Sequence, residues 1–355
     1  MSGLDALDGI DWQALGVSPR RSREIVGAVR DLCSEDGDVR GTAIGLLDGL
    51  LVSPLVRAAA AVVPVLMDIA EHPFAEPARI YGWLGTALAG GLPKLREVDD
   101  LRTDKARARL AKKPVLMELH DAVHASLPSC MPALGDEAPE VRAMAIYLLG
   151  VGGSRAGELR PAMAERLSQE DRAELRAGAI LALTFLGDAR TALAGARELL
   201  SRAEDAASRA AAAVSAIHLG SRKEPGLLDA LEAGAALPAW PWQLWLWQPL
   251  WMSCVEAMPK VAGKERQVAG LLAAIDAADE NDHQAWMLRR GQAQGMLVSL
   301  KLKAFKNRWK DAVSLAELDQ EQRALLGELA ARGLGGTASY GLPQTAADLA
   351  AFLEA

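Results

Sequence analysis

The sequence predicts an all-α protein, an α-solenoid of antiparallel helix pairs that ends in a C-terminal helical cap. Three observations lead to this fold class. Alanine and leucine dominate the composition and aromatic residues make up only 5%, a mixture that favours helices over strands. A motif recurs every 33 or 34 residues. Short turns rich in Gly, Asp, Ser and Pro separate the apolar stretches, as they do between packed helices.

Length and charge narrow the class further. The chain has 355 residues, whereas single compact cores stop growing near ~250–300 residues. Such a length indicates either two domains or an elongated array of repeats. The net charge of −7 and the pI near 5.4 suit a soluble protein and disfavour binding to nucleic acid through bulk charge.

The cysteines and the N-terminus predict a cytoplasmic location. Cys33, Cys130 and Cys254 are odd in number, lie far apart and form no CxxC pair, which fits a reducing compartment. The first residues, MSGLDALDGIDW, are acidic and lack the basic and apolar segments of a signal peptide.

The repeated motif has a polar start, then an arginine and a small residue, then an apolar run at helical spacing. Its copies are GDVRGTAIGLLDGL at 37–50, PEVRAMAIYLLGVG at 139–152, AELRAGAILALTFLG at 173–187 and ASRAAAAVSAIHLG at 207–220. The arginines are Arg40, Arg142, Arg176 and Arg209, and the last three are 34 and 33 residues apart. The 102 residues between Arg40 and Arg142 leave room for degenerate copies. EPARIYGWLGTALAG at 76–90 is one, with Arg79 in the equivalent place.

Each copy follows another helical segment, so the repeating unit is a helix pair. The preceding segments are SREIVGAVRDLCSE, VHASLPSCMPALGDE, GELRPAMAERLSQE and ARTALAGARELLSRAED. One pair cannot bury its apolar face alone, whereas stacked pairs can. The arginines occupy the first turns of the second helices. We expect them to bridge neighbouring repeats through acidic residues of adjacent turns, which is a structural role.

The pattern D/E-x-V/L-R-x-x-A-x-x-x-L-G in paired helices resembles HEAT-like repeats of the PBS-lyase type. More narrowly, the chain resembles bacterial HEAT-repeat domain proteins. Two further segments carry this resemblance: AAAAVVPVLMDIAEHP at 58–73, and the YGLP-x-T motif that opens YGLPQTAADLAAFLEA. The resemblance covers most of the chain, more loosely over 91–115 and 235–300. It implies a soluble helical scaffold and no particular activity.

On this pattern we expect one continuous solenoid with five segments. They are N-terminal HEAT-like repeats at 1–90, a charged inserted loop at 91–114, central repeats at 115–236, Trp-rich helical repeats at 237–300 and the cap at 301–355. The inserted loop is expected to be partly helical from Asp104 to Ala111. In the cap, LDQEQRALLGELAARGL predicts an amphipathic helix with a polar start.

Five of the nine tryptophans lie in PAWPWQLWLWQPLW at 238–251. Prolines and glutamines interrupt this stretch, and its apolar part is shorter than the ~20 residues of a membrane span, so we expect no membrane partner. On a helix that begins near Pro241, one face is predicted to be core. That face holds Leu244, Trp247, Trp251, Val255 and Met258, with Cys254 at its border.

The opposite face of the same helix holds Trp242, Trp245, Pro249 and Ser253. An exposed aromatic patch there would mark a binding surface, since tryptophan is enriched in binding hot spots. Trp242 and Trp245, with Trp240, are therefore the predicted partner-binding residues. The alternatives are that a neighbouring helix or the cap covers this face, or that Pro249 breaks the helix.

Two basic runs define a second candidate surface. They comprise Arg102, Lys105, Arg107, Arg109, Lys112 and Lys113, and then Lys301, Lys303, Lys306, Arg308 and Lys310. On one concave face they could grip phosphates, and HEAT-like alkylpurine DNA glycosylases hold a duplex in such a groove. A solvated loop and a solvated cap are the simpler interpretation.

Catalytic and metal motifs are weak, and we predict no catalytic residues, no metal and no cofactor. His120 and His124 have the i, i+4 spacing of metal ligands, but the HExxH glutamate is absent and two surface histidines are the simpler interpretation. GVGGSRAG at 150–157 matches no nucleotide-binding motif or nucleophile elbow. It indicates a helix end and a turn in which glycine supplies a positive φ.

The leading functional hypothesis is a non-catalytic helical-repeat scaffold that binds a protein or peptide partner as an adaptor, a regulator or an immunity-type inhibitor. One alternative is a nucleic-acid-binding or DNA-repair protein that uses the basic runs. A weaker alternative is a HEAT-like lyase or chaperone for a small ligand in a tryptophan-lined pocket.

Overall fold

The computed structural model describes residues 3–51, 56–88, 114–187, 189–237, 249–278, 283–302, 313–336 and 342–354. Every regular element in these ranges is a helix, so the all-α prediction is confirmed. None of these helices combines the length and the hydrophobicity of a membrane span.

The α-helices run, in chain order, over Gly3–Ala6 (α1), Pro19–Asp31 (α2), Gly37–Leu51 (α3), Val56–Ile69 (α4), Pro77–Leu88 (α5), Pro114–Ser126 (α6), Pro139–Gly150 (α7), Ala156–Gln169 (α8), Ala173–Phe185 (α9), Ala189–Arg202 (α10), Ala206–His218 (α11), Leu227–Ala235 (α12), Leu250–Ala257 (α13), Pro259–Ala262 (α14), Lys264–Asp276 (α15), His283–Lys301 (α16), Gln320–Ala331 (α17) and Ala346–Glu354 (α18). Short 3₁₀ segments occupy Leu7–Gly9, Leu127–Gly135, Gly153–Arg155 and Leu315–Glu317.

The described residues form two compact units. The first contains the residues up to Ala230 together with Pro249 and Leu250, and the second contains 231–237 and the residues from Trp251 onward. The boundary therefore falls inside α12, near the point where the sequence repeats fade after Gly234.

Four of the repeated helices pack in succession in the first unit. Helix α5 packs on α7, α7 on α9, and α9 on α11. In α9 and α11, ten of the 13 residues are buried in each helix. A helix that is apolar on all sides lies inside the structure, and the many alanines of these two helices permit close approach of their neighbours.

The first helices of the pairs flank this row of second helices. Helix α8 packs on α9, and α10 packs on both α9 and α11. Helix α6 packs on α4 just as α7 packs on α5. The helix pairs before and after 89–113 are therefore in direct contact.

The second unit contains the predicted amphipathic helix of the cap. Asp319 and Gln322 form a capping box at the start of α17, and Leu325, Leu326 and Leu329 are buried. The polar start and apolar face predicted from the sequence are both confirmed.

The predicted core face of the tryptophan-rich region is confirmed where it is described. Trp251, Cys254, Val255 and Met258 are buried. Ser253, which the sequence predicts on the opposite face, is only 6% exposed, so that face is also covered at this position. Leu244 and Trp247, like the helical part expected for 104–111, lie outside the described residues.

The glycine-rich segment at 150–157 ends a helix, as predicted, but its expected positive φ is wrong. Gly152 has a φ of −78°. Glycine is needed here for space, because a Cβ atom would meet side-chain atoms of Leu127 and Leu159 within 3 Å. Close packing, and not a left-handed backbone conformation, therefore explains why glycine occupies position 152.

Candidate functional site

Most of the predicted site residues lie outside the described residues. This holds for Trp240, Trp242, Trp245, Lys105, Arg107, Arg109, Lys303, Lys306 and Arg308. Lys301, the last residue of α16, is described, and its Nζ lies 3.0 Å from Oε2 of Glu321. Its charge is therefore paired with the first turn of α17.

The histidine pair on α6 is not on the surface, so that prediction is wrong. His120 and His124 are only 7% and 8% exposed, because α6 packs against α4 and α5. The two rings lie 4.1 Å apart between centroids, and Nδ1 of His120 is 3.3 Å from Oδ1 of Asp121. In the described part of the chain, no three His, Cys, Asp or Glu side chains are grouped to hold a metal ion.

Two cysteines are buried and held as thiols. Sγ of Cys130 lies 3.7 Å from Sδ of Met67, and burial raises the pKa of the Cys130 thiol to about 12. Burial also raises the pKa of Cys254. Since the thiolate is the reactive form, burial disfavours nucleophilic chemistry at both cysteines.

The repeated arginine makes the same contacts in three repeats, and we call Arg40, Arg142 and Arg176 the bridging arginines. Nη1 of Arg142 donates to the carbonyl oxygens of Asp136 at 2.9 Å and Glu137 at 3.0 Å. Its Nε and Nη2 donate to the carboxylate of Glu170, 28 residues further on, at 3.1 and 3.2 Å. The predicted bridge between repeats is thus confirmed at this position.

Arg40 and Arg176 repeat this arrangement. Nη1 of each donates to the carbonyl oxygens five and six residues earlier, at 2.8 to 3.2 Å. Arg40 then reaches Glu76 at 3.4 Å, and Arg176 reaches Asp205 at 2.8 Å. In each case one guanidinium joins the turn before its own helix to an acidic residue that lies one to three residues before the next repeated helix.

Two of the expected equivalents differ. Arg79 pairs at 2.8 Å with Glu76, three residues earlier, and is more than half exposed. It has the predicted place in the motif but does not make the contacts of the bridging arginines. Arg209 pairs with none of the described residues. The arginine of the motif is therefore present at these two positions without the bridging contacts.

The acidic partners are held by several donors. The Glu170 side chain is fully buried between Arg142 and Arg166, with Nε of Arg166 at 3.3 Å. Burial alone would raise the pKa of Asp205, but hydrogen bonds from Ser208 and the guanidinium of Arg176 lower it overall. The lowered pKa of Asp205 favours its anionic form beside Arg176.

An open groove of about 810 Å³ lies between α8 and α10, above α9, and we call it the α8–α10 groove. Its lining comprises Ala164, Leu167 and Ser168 from α8, Arg176 and Leu183 from α9, Thr191, Ala194, Gly195, Glu198, Leu199 and Arg202 from α10, and Ala203, Glu204 and Asp205 from the turn that follows.

Small residues lie in the middle of the groove lining. The α10 residues recur at positions i, i+3, i+4, i+7, i+8 and i+11, so they form one stripe along the helix. Ala194 and Gly195 occupy the middle of that stripe. A Cβ atom on Gly195 would lie 3.2 Å from Cδ1 of Ile180 and 3.3 Å from Cδ2 of Leu167, so α10 already lies close against its neighbours. Sequence reasoning missed this surface, and the adjacent small residues within an amphipathic helix were its available signal.

The charges around the groove are nearly balanced. Arg176 pairs with Asp205 at 2.8 Å, and Arg202 pairs with Glu198 at 3.1 Å. Glu204 is exposed and pairs with none of the described residues. One carboxylate thus remains without a partner at the end of the groove where α10 finishes.

A second polar cluster lies on α16 in the second unit. The buried guanidinium of Arg289 donates to the carbonyl oxygens of Ala235 and Ala274, both at 2.8 Å, and to that of Leu237. It also lies 5.4 Å from the ring centroid of Trp251, and burial lowers its pKa to about 10. These contacts satisfy carbonyls at helix C-termini, so the cluster and Trp251 belong to the core.

Comparison of the chain with protein-family models, with curated proteins and with solved structures finds no match.

Proposed function

We propose that the chain is a non-catalytic α-solenoid that binds a protein or peptide partner. The successive packing of α5, α7, α9 and α11 supports the stacked-repeat architecture, and the three bridging arginines each link one repeat to the next. Solenoids of this kind present extended surfaces that suit long or irregular partners.

The observation that carries the proposal is the α8–α10 groove. Its volume of about 810 Å³ lies in the ~300–1,000 Å³ range of ligand sites. Leu167 and Leu199 are only partly exposed in its walls, and small residues occupy the middle of α10. A partner can therefore bury leucine surface and bring its backbone close to the helix.

Affinity capture from the native host tests the proposal. The immobilised chain should retain a defined protein that mass spectrometry identifies. Ala194→Trp, which fills the groove from an exposed position, should reduce that capture at least about tenfold. Ala189→Trp makes the same change on an exposed position of α10 outside the groove lining and should leave capture unchanged. If the wild-type chain retains no protein above a blank support, the proposed function is wrong.

The tryptophan hypothesis can be tested with the same assay. If Trp242 and Trp245 form a partner surface, Trp242→Ala combined with Trp245→Ala weakens capture and changes the melting temperature little. A large loss of stability with unchanged capture would assign both residues to the core.

A further inference from the structure

The length of the α8–α10 groove limits what it can hold. The stripe from Thr191 to Arg202 covers eleven helical steps, or roughly 16 Å at 1.5 Å per residue. An extended chain covers that distance in about five residues at 3.3 Å each. The occupant is therefore a short segment of chain and not a whole domain face.

The lining of the groove changes along its length. Its middle offers Leu167 and Leu199 beside Ala194 and Gly195, a surface that accepts an aliphatic side chain and a closely approaching backbone. Thr191 lies at the end where α10 begins, and no charged residue of the lining is found there. The end where α10 finishes is formed by charged side chains.

The end of the groove where α10 finishes has a net negative charge. The pairs Arg176–Asp205 and Glu198–Arg202 neutralise each other at 2.8 and 3.1 Å, which leaves the carboxylate of Glu204. A cation placed there gains an ion pair without breaking an existing one, whereas an anion meets only repulsion. The net charge of −7 on the chain also favours the approach of a basic segment.

The geometry points to a short basic peptide segment as the occupant of the α8–α10 groove, with an aliphatic side chain against Leu167 and Leu199 and a lysine or arginine at Glu204. Helix α10 ends at Arg202, so Glu204 lies in the turn beyond it, and the groove holds about five extended residues. The aliphatic and basic residues of the segment therefore lie within about four positions of each other. This inference rests on the proposed function and specifies its ligand.

Selection from a phage library of random heptapeptides, with the full chain as bait, tests the inference. The wild-type chain should enrich peptides in which Leu, Ile, Val or Met stands within about four positions of Lys or Arg, the span that the groove can hold. Enriched peptides, resynthesised with a fluorescent label, should bind Ala194→Trp at least about tenfold more weakly than Ala189→Trp. Circular dichroism of both variants should show unchanged helicity.

Charge reversal supplies an independent variant on an exposed side chain. When the Glu204→Lys variant is the bait, the selection should enrich peptides that carry Asp or Glu in place of the basic residue. The basic peptides selected on the wild-type chain should bind this variant about tenfold more weakly. Glu354→Lys alters the net charge equally in the second unit and should change nothing.

Three outcomes overturn the inference. They are no enriched motif, a motif without a basic residue, and peptides whose binding is unaffected by both Ala194→Trp and Glu204→Lys. Failure of the proposed function is distinct from these, because it appears as no protein captured from the host. If the host protein binds both variants as tightly as it binds the wild-type chain, the proposed scaffold function is retained. Only the assignment of the groove as its binding site is then wrong.

Discussion

At the scale of single residues, the bridging arginines depend on the shape of the guanidinium group. A guanidinium carries five N–H donors in one plane. Arg142 uses them to reach two carbonyl oxygens of its own turn and the Glu170 carboxylate of the next repeat. A lysine ammonium lacks this planar fork, so it cannot reproduce the set of contacts.

Loss of one bridging arginine should be costly. Arg142→Met leaves the buried Glu170 carboxylate with Arg166 as its remaining charged partner and frees two carbonyl oxygens. We expect the free energy of unfolding to fall by about 2–4 kcal/mol, measured by urea denaturation. Arg209→Met removes the same side chain from the same motif position where no described residue pairs with it, and should cost less than about 0.5 kcal/mol. Equal losses in the two variants would contradict this account of the bridge.

The sequence predicted this bridge because the arginine recurs at a fixed place in a repeated motif. It failed for the histidine pair, because the burial of His120 and His124 depends on α4 and α5, which are distant in sequence. It also failed for the α8–α10 groove, because the adjacent small residues Ala194 and Gly195 indicate a candidate surface without showing whether a neighbouring helix covers it.

At the scale of elements, the described part of the YGLPQT motif, Leu342 to Thr345, packs against Gly335 and Gly336 in the second unit. A Cβ atom on Gly335 would overlap the backbone of Gln344, and one on Gly336 would overlap Leu342. The N–H of Gly336 donates to the carbonyl oxygen of Pro343 at 2.6 Å. Thr345 then starts α18 by accepting a hydrogen bond from the N–H of Asp348 at 3.1 Å. Backbone packs directly on backbone, so only glycine fits.

Gly335→Ala should therefore destabilise the second unit. Since backbone must move to admit the new methyl group, we expect a loss of about 1–3 kcal/mol. The control is Gly327→Ala within α17, where the nearest side-chain atom is Cδ1 of Leu353 at 3.9 Å and the helix should gain about 0.5–1 kcal/mol. Differential scanning calorimetry would show the two shifts, and a Gly335→Ala variant as stable as the wild type would contradict the close packing.

At the scale of the whole molecule, burial is unevenly distributed among the helices. Ten residues are buried in α9 and ten in α11, whereas the buried residues of α10 are Ala192 and Ala196. Amides in α9 and α11 should therefore exchange with deuterium at least about tenfold more slowly than those of α10, because opening them exposes more apolar surface. Hydrogen exchange followed by mass spectrometry would measure this, and uniform protection across the three helices would refute it.

The helices of the first unit were predictable because the motif repeats with a helical apolar pattern. The division into two units was not, since the boundary falls inside α12, where the period has faded and no turn signal marks it. In the second unit, Arg289 donates to backbone carbonyl oxygens of several helices. Every residue has a backbone carbonyl, so the sequence does not indicate which ones this arginine contacts.

The bridging arginines also bear on how such a chain tolerates insertion and deletion. The acidic partner stands 36 residues after Arg40, 28 after Arg142 and 29 after Arg176, yet the contacts are alike. Each bridge joins the start of one repeated helix to an acidic residue that lies one to three residues before the next repeated helix. Segments of different length can therefore separate the arginine from its acidic partner while the same contact is made.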